Sequence, residues 1–266
     1  MNKKTIFFDI DGTIYSHNNG INVISKNVRE AISETRNKGH LCFIASGRPM
    51  AFLQSTVKKI GVDGYVLANG SHLVYNNQTL EATYLDYDLL KEMIEAFDKL
   101  GIEYVLSGEE HAYIDSTHTT MIDFFYRVGA TKNDLIHEYD QEEIMRKTVK
   151  VEIWCHTQKQ IKEAIKYMKQ FYYEIHPDQH SIEITSLNKT KASGIERLLE
   201  LLNMNKEDSI CFGDGPNDFE MFEAVGHSIA MGNAIDELKK IADEICLSVD
   251  EDGVAYKLRE MFKEDE

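Results

Sequence analysis

Residues 7–13 read FFDIDGT, so an apolar run passes directly into Asp9 and Asp11. Carboxylates this close together repel each other, and the repulsion raises the pKa of such a pair unless a cation lies between them. A single aspartate is common in a turn, but two of them beside a glycine are a poor choice for structure. The stretch therefore predicts a buried strand, Thr5–Phe8, whose carboxyl end holds a metal ion or carries out a reaction.

Three other stretches place polar groups after apolar runs or before a helix. In chain order they are Ser46-Gly47-Arg48 after the run Leu41–Ala45, Lys191 before a helical segment, and GDGPND at 213–218 after the run Ser209–Phe212. Helix-like segments alternate with strand-like ones at both ends of the chain, which is typical of βαβ units around a parallel sheet. Ligands bind beyond the carboxyl ends of the strands in such sheets, so we expect the aspartate pair, Ser46 and Asp214 to share one edge.

The first and last residues of several segments indicate helices. Ser25–Lys38 begins with a serine cap and ends before Gly39. Pro49–Lys59 and Pro216–Val225 each carry a proline in the first turn, where proline suits a helix. We therefore predict one continuous helix in each of these ranges.

The middle of the chain follows a different pattern. Tyr87–Leu100 is predicted to be an amphipathic helix, and paired strand-like segments follow it. A second helix–strand–strand series begins at Gln158. The sequence therefore predicts an α/β fold with a parallel-sheet core, formed by residues 1–83 and 188–266, and an inserted α+β domain at residues 84–187.

The overall charge restricts the partners. The 266 residues carry a formal net charge of −16 with a pI of about 5.1. Nucleic-acid backbones require a basic surface, so we expect no nucleic-acid partner. A small anionic substrate is compatible if a metal ion and local cations neutralise the site. No apolar run reaches the roughly 18–20 residues that span a bilayer, so no membrane segment is predicted.

The sequence also bears on the compartment. The first apolar run stops at Asp9 and lacks the longer apolar region and the cleavage site of a signal peptide, which predicts a cytoplasmic protein. The cysteines lie far apart and form no C-x-x-C pair, which predicts free thiols. They are Cys42, Cys155, Cys211 and Cys246. The sequence gives no indication of the oligomeric state.

The aspartates supply a small set of oxygen ligands. Asp9 and Asp214, together with the backbone carbonyl of Asp11, suit Mg²⁺, which binds few protein carboxylates and leaves positions for water and phosphate. Zinc would require His or Cys ligands, which these motifs lack. With a metal screening the charge, one carboxylate could attack phosphorus and form an aspartyl-phosphate, and the other could transfer protons.

Two motifs could bind a phosphoryl group, and each has a second interpretation. The hydroxyl, the glycine amide and the helix start at Ser46-Gly47-Arg48 resemble a phosphate cradle. Ser46 also suits a helix cap, and Arg48 could equally pair with a surface acid. Lys191 could neutralise the transferring group, although a lysine before a helix is commonly solvated and Lys189 lies two residues away.

Asp218 also has two interpretations. In the first turn of a helix that opens at Pro216, its charge would interact favourably with the helix dipole. Alternatively, it would support the water molecules of a bound metal, or Lys191. The residues alone leave both interpretations open.

Taken in order, these motifs resemble the haloacid dehalogenase-like superfamily of phosphohydrolases, specifically the Cof-type branch with a large α/β (type IIB) cap. The matching stretches are Asp9-Ile10-Asp11-Gly12-Thr13, Ser46-Gly47-Arg48, Asn69-Gly70, Lys191, the run 213–218, Met231-Gly232-Asn233-Ala234 and Asp252-Gly253-Val254-Ala255. The resemblance implies a Rossmann-like core with an inserted cap. It implies that Asp9 is the nucleophile and Asp11 the general acid and base.

The resemblance also implies roles for the remaining site residues. Mg²⁺ would be held by Asp9, the Asp11 carbonyl and Asp214. The phosphoryl group would be bound by Ser46, Gly47, Lys191 and Asn217, with Gly12, Thr13, Arg48 and Asp218 in support. Lys191 is followed by Ala192 where many relatives have glycine, which leaves Lys189 open as the phosphate-binding lysine.

The function that follows is a Mg²⁺-dependent phosphatase acting on a small phosphorylated metabolite, with sugar phosphates the commonest class in such relatives. Asp11 at its position in the first motif favours a phosphatase over a dehalogenase. A phosphomutase or phosphotransferase would use the same aspartyl-phosphate, and a non-catalytic regulator would keep the fold without turnover. The motifs do not name the substrate, because the cap selects it.

Overall fold

The structure is a computed structural model that describes residues 3–16 and 24–263. The strands are β1 (Thr5–Phe8), β2 (Leu41–Ala45), β3 (Gly64–Leu67), β4 (His72–Tyr75), β5 (Gln78–Ala82), β6 (Glu103–Ser107), β7 (Ala112–Tyr113), β8 (Leu135–Ile136), β9 (Lys150–Trp154), β10 (Tyr172–Ile175), β11 (Ser181–Thr185), β12 (Ser209–Gly213), β13 (His227–Ala230) and β14 (Glu244–Ile245). The α-helices are α1 (Lys26–Asn37), α2 (Ser55–Lys58), α3 (Tyr87–Leu100), α4 (Thr119–Arg127), α5 (Gln141–Met145), α6 (Gln158–Ala164), α7 (Lys191–Leu201), α8 (Phe219–Ala224), α9 (Asp236–Ile241) and α10 (Gly253–Met261). Within the described ranges, none of the helices is long and apolar enough to cross a membrane.

The chain divides into two compact units. The first consists of Met1–Gly47, Ser55–Leu80 and Thr190–Glu266, and the second of Arg48–Gln54 and Glu81–Lys189. Residues 48–54 fall within the predicted core, whereas their contacts group them with the second unit.

In its described residues, the first unit contains a sheet of eight strands in the order β14-β13-β12-β1-β2-β3-β4-β5. From β14 to β3, neighbouring strands run parallel, which confirms the predicted α/β fold with a parallel-sheet core. Phe8 of β1 is level with Ile44 of β2 and Phe212 of β12. The carboxyl ends of these three strands therefore lie side by side, at the edge where the sequence motifs begin.

The central strands are mostly apolar because both of their faces are buried. Every residue of β1 and β2 is buried. Phe7 stacks on Phe43 with ring centroids 5.6 Å apart, and Phe8 stacks on Phe212 at 5.4 Å. These cross-strand pairs fix the register on which the position of Asp9 depends.

One predicted helix of this region is wrong. Residues 49–59 form a 3₁₀ turn at Met50–Phe52, an extended residue at Leu53, and then α2. The Phe52 ring stacks on Phe125 with centroids 4.1 Å apart, within the second unit. The two halves of the segment belong to different compact units, so tertiary packing overrides the local preference for one helix.

The second predicted proline helix begins later than expected. Pro216–Asp218 is a 3₁₀ turn, and the α-helix α8 starts at Phe219. The turn is tightened by the Asp218 side chain, which accepts hydrogen bonds from the backbone N–H groups of Asp214 and Gly215 at 3.0 and 3.1 Å. A 3₁₀ turn that the Asp218 carboxylate stabilises therefore takes the place of the predicted first turn of α-helix.

The pair β4–β5 was not predicted. It is joined by Asn76 and Asn77, whose φ angles of 50° and 60° are left-handed. Two left-handed residues make a tight hairpin turn, for which Asn-Gly is the usual signal. Here Asn76-Asn77 forms the turn in place of Asn-Gly, so the sequence lacks the usual hairpin signal.

The second unit contains a mainly antiparallel sheet of six strands in the order β10-β11-β9-β6-β7-β8. Helix α3 matches the predicted range, with Asp86 as N-cap and Gly101 as left-handed C-cap. Its apolar side packs in one buried cluster with residues of the sheet such as Val151 and Ile153. The unit has the α+β composition that the sequence pattern predicts.

The other face of this sheet carries buried charge. Lys150 and Glu152 alternate in β9 with the core residues Val151 and Ile153. The Lys150 side chain is 1% exposed, and its Nζ lies 2.5 Å from Glu183 Oε2 and 3.3 Å from Glu152 Oε1. Burial raises the pKa of Glu183, but the Lys150 and His176 charges outweigh burial and hold that pKa below its usual value.

We expect Lys150→Met to destabilise the protein by about 3 kcal/mol, because it removes the buried ammonium that pairs with the largely buried carboxylates of Glu152 and Glu183. Urea denaturation would measure the loss. Lys91→Met is the matched control, since Lys91 pairs with Glu142 on the surface, where both side chains are more than 40% exposed and ion pairs contribute little. Equal urea midpoints for the two variants would show that the buried cluster is not stabilising.

Candidate active site

The hydrogen-bonding pattern of the sheet continues to Asp9 and fixes the position of its backbone. The N–H of Asp9 donates to the carbonyl of Phe212 at 3.0 Å, one residue beyond the end of β1. The chain then turns sharply, with the Ile10 carbonyl accepting from the N–H groups of Ile14 and Tyr15 at 3.1 and 3.0 Å. Asp9 is 5% exposed. The nucleophile predicted from the sequence is therefore a buried carboxylate on rigid backbone.

Gly12 permits a close approach between two loops. Its φ is +86°, and a Cβ atom added there would lie 2.1 Å from Asp214 Oδ2. The neighbouring hydroxyl of Thr13 donates to Asp214 Oδ1 at 3.3 Å. The absence of a side chain at Gly12 thus lets the carboxylate of Asp214 reach the loop that follows β1.

Lys191 is the lysine that reaches the aspartates. Its Nζ donates to Asp9 Oδ1 at 2.5 Å and to Asp218 Oδ1 at 2.8 Å, and the residue is 3% exposed. Thr190 caps α7 immediately before it, in a reciprocal capping box with Ser193. Burial lowers the pKa of Lys191, but the two carboxylates raise it above its usual value.

The side chain of Lys189, the other candidate lysine, pairs with a residue outside the carboxylate cluster. Its Nζ lies 3.8 Å from Glu81 Oε1, and both residues belong to the second unit. The capping residue Thr190 separates it from the helix start at Lys191. The geometry therefore favours Lys191 over Lys189 as the lysine of the carboxylate cluster.

Asp218 connects the lysine to the loop after β12. One of its oxygens accepts from Lys191, and the other accepts from the backbone of Asp214 and Gly215. Asp218 is fully buried. The sequence leaves open whether Asp218 acts on the helix dipole or supports the site. The structure shows direct contact between Asp218 and Lys191.

The cluster concentrates negative charge. One carboxylate oxygen from each of Asp9, Asp214 and Asp218 lies within 4.8 Å of the others. Burial raises the pKa of Asp9 to about 7 and that of Asp214 to about 6, and the charges of Asp218 and Asp11 add to both shifts. Lys191 opposes these shifts without cancelling them. The group consists of oxygen donors and could hold a metal ion, which would relieve this repulsion.

The carboxylate of Asp11 is not part of that close group. Its charge nevertheless acts on both Asp9 and Asp214, so it lies near them. The assignment of its backbone carbonyl to a metal, and of its carboxylate to proton transfer, stays a prediction.

Ser46 and Gly47 follow β2, the strand beside β1. Ser46 is 3% exposed, and its N–H donates to the carbonyl of Val66 at 2.8 Å. Asn217 is exposed in the 3₁₀ turn after β12. Arg48 belongs to the second unit, where its Nη1 donates to the carbonyl of Phe52 at 3.4 Å.

Asn233 has no role among those predicted from the sequence, yet it contacts the site. Its Nδ2 donates to the Gly12 carbonyl at 2.8 Å and approaches Asp214 Oδ2 at 3.4 Å, and its Oδ1 accepts from the N–H of Val249 at 2.8 Å. Asn233 thus links three loops at the edge of the sheet. Its presence in a motif shared with the family was the available signal, but the motif alone did not show this contact.

Known proteins match this chain over nearly its whole length. The family model for haloacid dehalogenase-like hydrolases matches residues 6–258. YkrA from Bacillus subtilis (strain 168), which carries a provisional phosphatase name, is 31% identical over 268 residues that cover 98% of each chain. YitU from the same strain, a 5-amino-6-(5-phospho-D-ribitylamino)uracil phosphatase, is 27% identical over 271 residues that cover 97% of each chain.

A solved structure extends the match to the fold. The sugar phosphatase BT4131, of subclass IIB of this superfamily, superposes with a TM-score of 0.77 over 97% of this chain and 99% of its own, at 24% identity. The family model and the match to YkrA show that the chain belongs to the haloacid dehalogenase-like hydrolases and is a phosphatase of the Cof-type branch. The resemblance stated from the motifs is confirmed.

We expect Gly12→Ala to lower kcat/KM for p-nitrophenyl phosphate by about 10²-fold, because the added Cβ displaces the carboxylate of Asp214. Gly39→Ala is the matched control. Gly39 has a φ of +90°, and a Cβ added there meets nothing within 4 Å. Both variants carry backbone strain of about 1–2 kcal/mol. Equal kcat/KM in both variants would show that the close approach at Gly12 is unimportant.

Proposed function

We propose that the protein is a Mg²⁺-dependent phosphatase that hydrolyses a small phosphorylated metabolite, a sugar phosphate or a related sugar-alcohol phosphate, through an aspartyl-phosphate on Asp9. One observation carries this proposal. The buried Asp9 carboxylate lies at the end of β1, bonded to the ammonium of Lys191 and within a cluster of three carboxylates. A purely structural site would have little use for this concentration of like charge.

The donor set suits Mg²⁺. We assign the carboxylates of Asp9 and Asp214 and the backbone carbonyl of Asp11 to the ion, since oxygen ligands with few carboxylates are what Mg²⁺ prefers. When bound, the ion would offset the charge of the carboxylates and polarise a phosphoryl oxygen. Asp218 already bonds Lys191 and two backbone N–H groups, so we assign it to support of the loop and the lysine.

The first half-reaction transfers the phosphoryl group to the protein. An oxygen of Asp9 attacks phosphorus while the bond from phosphorus to the leaving oxygen breaks, and Asp11 donates a proton to that oxygen. The Lys191 ammonium favours the ionised form of Asp9. We assign the Ser46 hydroxyl, the Gly47 backbone, Lys191 and Asn217 to the phosphoryl oxygens.

The second half-reaction returns Asp9 to its starting state. Asp11, now ionised, removes a proton from water, and the water oxygen attacks the phosphorus of the aspartyl-phosphate. The bond between phosphorus and Asp9 breaks, so inorganic phosphate leaves and Asp11 is protonated again. Thr13 and Asn233 hold Asp214 in place during both steps, through the contacts described above.

We propose that residues 84–187, which lie within the second unit, form the cap that selects the substrate. We also propose that Arg48, which belongs to the same unit, keeps its predicted role in support of phosphoryl binding. The name of YitU specifies a phosphate on a ribityl chain. That chemistry supports a phosphorylated sugar or sugar alcohol as the substrate class. A screen of sugar phosphates, this ribitylaminouracil phosphate, nucleotides and phospho-acids with Mg²⁺ would identify it, and added hydroxyl acceptors would reveal transfer in place of hydrolysis.

A cytoplasmic location is part of the proposal. The four cysteines are free, as predicted, and Cys42, Cys155 and Cys211 are buried. Free thiols suit a reducing compartment.

We expect Asp9→Asn to lower kcat on the order of 10⁴-fold or more, because it removes the nucleophile. The thermal midpoint should stay close to that of the wild type. Asp208→Asn is the control, since Asp208 pairs with Lys4 and precedes the opposite end of β12. Mg²⁺-dependent hydrolysis near the wild-type rate in Asp9→Asn would contradict the assignment.

Chelation should abolish activity. We expect EDTA to remove hydrolysis of the best substrate and added Mg²⁺ to restore it, because the carboxylate cluster requires a cation to accept an anionic phosphoryl group. Phosphate release over time, with and without re-added Mg²⁺, would measure this. Full activity in excess chelator would show that the reaction needs no divalent ion.

A further inference from the structure

The segment Ala68-Asn69-Gly70, here named the 68–70 turn, is left-handed at every residue. Its φ angles are 49°, 52° and 83°. Ala68 is fully buried in this conformation, which an alanine adopts at a cost of about 1–2 kcal/mol. Such strain persists where the surroundings impose it, and it is concentrated at functional sites. Asn69-Gly70 is among the motifs noted in the sequence, and the reaction described above gives it no role.

The first contact of the 68–70 turn is with the segment after β2. The N–H of Ser46 donates to the carbonyl of Val66, and the N–H of Asn69 donates back to the carbonyl of Ser46 at 3.3 Å. The Asn69 side chain lies against Gly47, because a Cβ added to Gly47 would lie 2.9 Å from Asn69 Oδ1. Asn69 therefore contacts both Ser46 and Gly47, the two residues of this segment that we assign to the phosphoryl group.

The second contact is with the start of helix α7. A Cβ added to Gly70 would lie 2.3 Å from the carbonyl oxygen of Thr190, and one added to Gly194 would lie 2.5 Å from the Cα of Gly70. The two backbones touch because both positions are glycine. Thr190 is the cap of α7, and Lys191 is its first residue. The same turn thus contacts the residues on either side of Lys191.

The Asn69 carboxamide has a packing contact and no hydrogen bond to any residue in the ranges 3–16 and 24–263. An asparagine is well suited to this place, because it tolerates the left-handed conformation better than most residues. Its side-chain amide packs against Gly47, where the absence of a side chain leaves room for it. The contact can therefore fix the distance between the segment after β2 and the 68–70 turn.

We propose that Asn69 is a positioning residue that holds Ser46 and Gly47 in place relative to the N-terminus of α7, so that Ser46 and Lys191 contact one phosphoryl group together. The inference rests on the proposed function, because it takes Ser46 and Lys191 as phosphoryl-binding groups. Asn69 acts through Ser46 and Gly47 and does not touch the substrate. A displacement of about 1 Å in such a group can lower the rate by about 10²-fold.

The test compares Asn69→Gly with Asn77→Gly. Glycine accepts the left-handed conformation at both positions, so each variant loses the carboxamide without added strain. Asn77 has a φ of 60° in the exposed turn between β4 and β5. Binding of orthovanadate with Mg²⁺, measured by calorimetry, reports the phosphoryl site without turnover. We expect about tenfold weaker binding in Asn69→Gly, no change in Asn77→Gly, and similar thermal midpoints for both.

A double-mutant cycle separates positioning from direct contact. If Asn69 acts through Ser46, Asn69→Gly should weaken vanadate binding little further in a Ser46→Ala background. Independent losses that multiply in the double variant would overturn the proposal. Wild-type affinity in Asn69→Gly, or an equal loss in Asn77→Gly, would overturn it as well.

The outcome is distinguishable from failure of the proposed function. If Asp9→Asn retained hydrolysis, the nucleophile assignment would fail, yet the vanadate affinities of the Asn69 and Ser46 variants would still decide the role of Asn69. If the wild-type protein bound no vanadate in the presence of Mg²⁺, both the phosphoryl site and the positioning role would be rejected.

Discussion

The buried contact of Lys191 with Asp9 and Asp218 is the interaction on which the rest of the site depends. The lysine lies 182 residues from Asp9 and 27 from Asp218 in the chain. It places a positive charge beside the buried carboxylates of Asp9 and Asp218 and near the half-buried carboxylate of Asp214, and this charge offsets their mutual repulsion. Both ends of the chain must therefore fold together to form the site, and the second unit is accommodated as an insertion between them.

The loops around the site approach one another closely. Gly12 lets Asp214 reach the loop after β1, Asn233 ties that loop to two others, and Asp218 tightens the turn that carries Asp214. The 68–70 turn likewise brings the segment after β2 close to the start of α7. Backbone, glycine and asparagine make the contacts at Gly12, Asn233 and the 68–70 turn, whereas the turn that carries Asp214 is held by the carboxylate of Asp218.

Much of this could be predicted from the sequence, because the relevant signals are local. Thr5–Phe8, Leu41–Ala45 and Tyr87–Leu100 form the predicted strands and helix at the predicted bounds. The ordered motifs also indicate the family. The helix predicted at residues 49–59 fails because its two halves pack in different units, and no local pattern contains that information. The links made by Asn233 and Asn69 depend on loops far apart in sequence, so the residues alone could not show them.

Transfer of the phosphoryl group to Asp9 is the step on which the proposed mechanism depends. Quenching the protein in acid within the first turnover of a substrate, followed by peptide mass spectrometry, would locate the bound phosphoryl group. We expect one phosphoryl group on the peptide that contains Asp9, at Asp9 itself, and its loss in Asp9→Asn. A phosphoryl group on any other side chain, or a full first turnover in samples that hold no protein-bound phosphate, would contradict it.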